Sequence, residues 1–223
     1  MKVALLLSGL PRSVKEGYDG YWKHIIDNYN VDLYLHAWHT HEDSDDVLKV
    51  YSKHGPSFLY IQNPFPFTEY REGINLESHE IGVQTEFDVY GNFRCFPMFY
   101  SWESTYKQII NSGKQYDCII RSRYDIAGPP INLSKLDLNK INTSNFHWSH
   151  SKTHDDNICI TNQENSNKLF SNIFMDIVDY HKKVKYINNP EQNFTDFMIR
   201  NDLYKIATKS NEINFLLLRN IKL

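Results

Sequence analysis

The chain of 223 residues carries 24 Lys plus Arg against 27 Asp plus Glu, a formal net charge of −3. One α/β domain fits that length, and the slight acidity excludes a general electrostatic grip on nucleic acid, which needs a basic surface. The longest apolar runs, Val3–Leu7 and Phe215–Leu218, fall far short of the roughly 20 residues that span a bilayer.

Val3–Leu7 reads as a strand buried on both faces, ended by Ser8-Gly9-Leu10-Pro11. Ser13 is placed to cap a helix that runs through Trp22 and Ile26 to about Asn28. Val31–His36 is a second strand, opening into Ala37-Trp38-His39-Thr40-His41. A short helix over Asp45–Tyr51 and a strand over Ser57–Ile61 complete the alternation that builds parallel sheets with right-handed crossovers. From Gln62 to Asn92 apolar periodicity fails, and Pro64, Pro66, Gly73, Gly82 and Gly91 punctuate a long, partly ordered insertion.

Helical spacing returns over Phe96–Asn111, with Gly113 at the stop. Tyr116–Arg123 is the next strand; Gly128-Pro129-Pro130 then ends any element. Strands are expected over Asn145–Ser149 and Asn157–Thr161, and an amphipathic helix over Gln163–His181. Asn189-Pro190-Glu191 sets Pro at the start of another helix through Phe194, Phe197 and Met198. Lys205–Thr208 and Asn214–Leu218 close the chain as strands.

Five apolar residues after Lys2 are too few for a secretory leader, and Cys95, Cys118 and Cys159 are odd in number with no Cys-x-x-Cys. Reduced thiols in a cytoplasmic protein are expected. Only 7 of the 24 basic residues are Arg, and four of those, Arg12, Arg121, Arg123 and Arg219, fall at or just past predicted strand ends. Ligands of open α/β sheets bind at those ends, and Arg holds phosphate bidentately. The group therefore suits one small diphosphate, although each Arg taken singly also fits a strand-end salt bridge.

In Arg121-Ser122-Arg123-Tyr124-Asp125, residues 121, 123 and 125 share one side of an extended chain. Asp125 then either holds a divalent cation beside substrate phosphates or pairs with an Arg. The spacing of His36, His39 and His41 does not match a zinc enzyme, so His36 and Trp38 read as a surface for stacking on and hydrogen-bonding a sugar or base. In His154-Asp155-Asp156 a carboxylate is placed to act as general base, or the pair merely caps a turn. Glu191 is ambiguous in the same way, since the helix dipole favours acids in a first turn. No phosphate loop, GxGxxG or GxSxG occurs.

Taken together, Leu5-Leu6-Leu7-Ser8-Gly9-Leu10-Pro11-Arg12, Asp32-Leu33-Tyr34-Leu35-His36-Ala37-Trp38, Pro97-Met98-Phe99-Tyr100-Ser101, Tyr116–Asp125, Asp156-Asn157, Pro190-Glu191 and Phe215–Arg219 stand in a telling order. That order resembles nucleotide-sugar glycosyltransferases of bacterial surface-polysaccharide loci and of large viruses and phages. The resemblance implies an α/β, GT-A-like (Rossmann-like), mostly parallel sheet flanked by helices in a single domain. Residues 1–125 would be its nucleotide-sugar-binding half and 126–223 its acceptor half. It further implies transfer from a nucleoside-diphosphate sugar to a glycan acceptor, with Mn²⁺ or Mg²⁺. Ser8, Gly9 and Arg12 would line the nucleotide pocket, beside His36 and Trp38. Arg121, Arg123 and Asp125 would replace the family's Asp-x-Asp, Arg219 would lie near the diphosphate, and Asp156 near sugar or acceptor. With one carboxylate where Asp-x-Asp has two, metal-independent transfer is open, the two Arg neutralising the leaving diphosphate themselves. The alternative is a non-catalytic carbohydrate- or nucleotide-binding module on a degenerate transferase fold.

Overall fold

A computed structural model of the chain describes residues 1–40, 44–65, 67–72, 95–145, 153–184 and 189–218. Strand β1 (Lys2–Gly9) is the hub, pairing in parallel with β2 (Asn30–Trp38) on one side and β4 (Cys118–Ser122) on the other. Beyond β2 lies β3 (Phe58–Gln62), also parallel. The second half adds β6 (Ile141–Ser144), β7 (Ile158–Thr161) and β8 (Ala207–Ser210), giving one seven-stranded sheet of order β3-β2-β1-β4-β7-β6-β8. A small ribbon pairs β5 (Ile126–Ala127) with β9 (Leu216–Leu217). The expected mostly parallel α/β sheet is therefore present, with β7 running antiparallel to both its neighbours.

Period two along the strands divides the core. Val3, Leu5, Leu7, Leu33 and Leu35 pack against α1 (Val14–Gly17), α2 (Lys23–Asn28) and α3 (Ser44–Tyr51). Ala4, Leu6, Tyr34 and Trp38 face the opposite layer, α5 (Cys95–Ser112), α7 (Ile173–Val184) and α8 (Pro190–Arg200). Helix α5 covers the sheet through Phe96, Phe99, Trp102, Tyr106 and Ile109, spaced at helical intervals and all buried. Each such side chain contributes about 1.5–3 kcal/mol by leaving water. The short helix α4 (Thr68–Arg71) precedes α5, and α6 (Gln163–Phe170) precedes α7.

Several expectations are corrected. Ser13 does not cap: its φ of 45° is left-handed and its side chain makes no cap hydrogen bond. A tight turn at Leu10–Arg12 delivers the chain to the helix in that geometry. The helix it begins is interrupted by a π turn over Tyr18–Trp22. A strand not expected from sequence lies at Ile141–Ser144, and the one expected at Asn145–Ser149 falls, beyond Asn145, outside the described residues. Gln163–His181 is two helices with a break at Ser171 and Asn172, because the apolar stripe of α7 starts afresh at Ile173. Tyr204–Ile206 is a 3-10 turn, so the following strand begins at Ala207. Most of the Gln62–Asn92 insertion lies outside the described residues. Gly113 does close α5 with a left-handed φ of 65°, and Asn189 caps α8 ahead of Pro190 by accepting from the Gln192 amide at 2.8 Å.

Candidate active site

The chain runs β1, β2, β3 outward in one direction and then returns to place β4 on the other side of β1. This reversal makes the C-terminal edge between β1 and β4 the topological switch point, where ligands of open α/β sheets bind. Both sequence-predicted segments, Ser8–Arg12 and Arg121–Asp125, end at that edge. Parity puts Ser8, His36, Trp38 and Arg121 on the α5 face, with Ser8 opposite His36 in register.

Polar atoms here are buried without protein partners. Ser8 Oγ, His36 Nδ1 and Trp38 Nε1 are buried with no hydrogen-bond partner. Buried polar groups are nearly always paired, so three such atoms on two adjacent strand ends make this edge a candidate ligand site. Burial holds His36 below the usual histidine range, and its Nε2 lies 2.9 Å from Gln62 Oε1. The neutral tautomer with Nε2–H donating to Gln62 leaves Nδ1 as an acceptor without a hydrogen-bond partner.

Arg121 is buried and not exposed at this edge. It is 1% exposed, its guanidinium carbon 3.3 Å from the centroid of the Trp102 ring. Its Nη1 donates to the Asp156 carbonyl. Burial pushes the guanidinium down, and Asp156 opposes that; the group stays charged, since Arg does not deprotonate in proteins. Arg123 reaches further out, donating from Nε and Nη2 to the two oxygens of Asp125 at 2.7 Å each. Its backbone carbonyl is held by Trp22 Nε1 at 3.1 Å, the indole coming from the π turn.

The reversal of β7 delivers a second acidic segment to the same place. Ile158 pairs with Ser122, so residues 155–157 sit beside the end of β4. Ser122 Oγ donates to the Asn157 carbonyl at 2.9 Å, and Arg123 Nη1 lies 3.4 Å from Asn157 Oδ1. Asp155 is saturated: it accepts from Ser144 Oγ at 2.5 Å and from the Asn157 amide and Nδ2 at 3.2 and 2.5 Å. Burial and neighbouring Asp156 nonetheless push its carboxyl up to about 6. Among the described residues the Asp156 carboxylate makes no hydrogen bond, so of the two it is the one available for chemistry. Behind them His154 Nδ1 meets Thr143 Oγ1 at 2.9 Å, and its amide donates to Thr195 Oγ1 on α8 at 2.8 Å. Glu191 lies one turn before Thr195 on that helix, half-buried, which brings α8 to this end of the site.

Arg12 follows the β1 turn and Gly9 ends the strand with a φ of 113°. Arg219 and His41 lie outside the described residues. Asp125, the expected metal ligand, has both oxygens on Arg123. Among the described residues no three His, Cys, Asp or Glu side chains are grouped to hold an ion. Trp102 was not singled out from sequence, and Asn157 entered there as the neighbour of Asp156 in the motif order. Trp102 reads there as one more apolar residue of a helical stripe, and only packing puts a cation on its ring.

No protein-family model matches the chain, and no curated protein sequence does either. Among solved structures it is similar to the glycosyltransferase GlyE of Streptococcus pneumoniae TIGR4 in its apo form. The identity is 12%, the coverage 94% of this chain and 45% of that one, and the TM-score 0.49. It is also similar to the galactosyltransferase LgtC in complex with donor and acceptor sugar analogs, at 8% identity, 95% and 73% coverage, and a TM-score of 0.47. The chain thus spans less than half the length of GlyE.

Proposed function

We propose that the chain is a GT-A-like glycosyltransferase that binds a nucleoside-diphosphate sugar across the C-terminal ends of β1, β2 and β4. The observation that carries this reading is the set of buried, unpartnered polar atoms on Ser8, His36 and Trp38, beside Arg123 at the switch point. Ser8 and Gly9 would line the nucleotide, with His36 Nδ1 accepting and Trp38 Nε1 donating to base or ribose. Arg12 and Arg123, with Arg219, would face the diphosphate, whose charge grows as the glycosidic bond to the donor sugar breaks. Arg121 acts from below, holding the main chain of Asp156 in place. The Asp156 carboxylate, or Glu191 from α8, would take the proton of an acceptor hydroxyl if transfer inverts configuration.

No step is assigned to Mn²⁺ or Mg²⁺. The alternative reading, a module that binds nucleotide or carbohydrate without turnover, is favoured by the closure of Asp125 onto Arg123. Calorimetry against UDP-, GDP- and dTDP-sugars, with and without Mn²⁺, tests the proposal. Binding of one class, weakened by Ser8→Ala and Arg123→Ala, is expected, and failure of every sugar nucleotide to bind sinks it. Product formation that is lost in Asp156→Asn separates the enzyme from the module.

A further inference from the structure

A cavity of about 420 Å³ opens between the edge strand β3 and helix α5. That size falls within the range of small-molecule sites, roughly 300–1,000 Å³. Its two walls differ in chemistry. On β3, Phe58, Tyr60 and Gln62 alternate onto the cavity side, so two aromatic rings and an amide form one stripe. The Tyr60 residue is 49% exposed, and its only ring neighbours among the described residues are Phe58 and His36. The facing wall is a helical stripe of α5 that includes Ser104 and Gln108. Among the described residues the side chains of these two make no hydrogen bond.

Charge decides what such a cavity accepts. Its lining holds one carboxylate and one ammonium, Glu103 and Lys107, and they pair with each other at 2.5 Å. The second Glu103 oxygen accepts from the Phe174 amide at 2.9 Å. His36 is neutral, as argued above. With no net charge, the cavity offers nothing to a phosphate. An aromatic wall facing uncommitted amide and hydroxyl groups matches a ligand that is apolar on one face and hydroxylated around its edge.

We propose that this cavity binds an uncharged saccharide, with its C–H face on Tyr60 and Phe58 and its hydroxyls on Gln108, Ser104 and Gln62. The site is separate from the diphosphate-facing edge of β1 and β4, the two meeting only at His36. It does not depend on the transferase reading: a chain that binds neutral saccharides and no nucleotide would sustain this inference and sink that one.

Ligand-observed NMR on the full chain, with a panel of neutral mono- and disaccharides at millimolar concentration, tests it. At least one sugar is expected to bind, independently of salt. Tyr60→Ala and Gln108→Ala are each expected to weaken binding about tenfold, the loss of one stacking or hydrogen-bonding contact. Tyr60 is half-exposed, so its variant should fold; an unchanged circular dichroism spectrum checks this for both. Absence of binding by every sugar in the panel overturns the proposal. So does binding that neither variant weakens, or that UDP displaces competitively.

Discussion

Arg123 grips both carboxylate oxygens of Asp125, two residues further along the same edge of the sheet, at 2.7 Å each. The carboxylate is fully buried while the Arg side chain stays 18% exposed. A partly exposed cation is thus held at the end of β4 by a buried anion. Removing one partner of such a pair leaves an uncompensated charge. Arg123→Ala should cost about 3 kcal/mol, and the double variant Arg123→Ala/Asp125→Ala should be less destabilised than that single change. Urea unfolding of the four proteins checks this, and additive losses would contradict it.

Gly17 makes the same edge possible from the other side of the sheet. A Cβ at this position would lie 1.9 Å from the Tyr124 carbonyl oxygen, a backbone atom that cannot step aside alone. Gly17→Ala should therefore destabilise by about 3 kcal/mol or more and weaken ligand binding, because it pushes on the segment that carries Arg123 and Asp125. Gly113→Ala, strained only by its φ of 65° with open space around it, should cost about 1 kcal/mol and leave binding intact. Thermal melts with and without ligand distinguish the two.

His154 and Asp155 are sequence neighbours with opposed pH behaviour. Burial pushes His154 down to about 4 and Asp155 up to about 6. Between pH 4 and 6.5 the folded state binds fewer protons at His154 than the unfolded one does, so this group adds stability as pH rises. Between about pH 4 and 6 the folded state binds more protons at Asp155, so that group removes stability as pH rises. The two offset each other in the native protein. His154→Gln should make stability fall more steeply from pH 4 to 6 than in the parent, and Asp155→Asn should make it rise more steeply. Tm measured across that range checks both signs.

Arg121 on the Trp102 ring holds the acidic segment from within the core. Arg121→Met keeps the bulk but removes the bond to the Asp156 carbonyl. Since a buried charge costs much of what it returns, stability should change by less than about 2 kcal/mol. Sugar-nucleotide binding or turnover should nevertheless fall at least about tenfold, through displacement of Asp156 and Asn157. Trp102→Ala should cost about 3–5 kcal/mol, because it also opens a large cavity in the core. Denaturation midpoints set beside activity separate positioning from packing.

How much of this was legible in the chain follows from the range of each interaction. The short apolar runs marked β1, β2 and β4, a local signal that survives without knowledge of partners. Period two carries no further than Ser122, where β4 ends, and the chain bends at Tyr124 and Asp125. The Ser13 cap failed for the converse reason: its side chain type was right, but the preceding turn set a left-handed φ. Arg121 was read as a ligand contact because charge favours exposure, and nothing near it in sequence announces Trp102.

By itself, then, the sequence determined a parallel α/β arrangement and a convergence of cations at strand ends, since alternation and hydrophobic runs dictate both. Only the tertiary structure decided which of those cations faces outward. It also decided that β7 runs antiparallel against β4, carrying Asp155–Asn157 to Ser122 and Arg123. That direction depends on a pairing of segments some 35 residues apart, a long-range choice that no local pattern encodes.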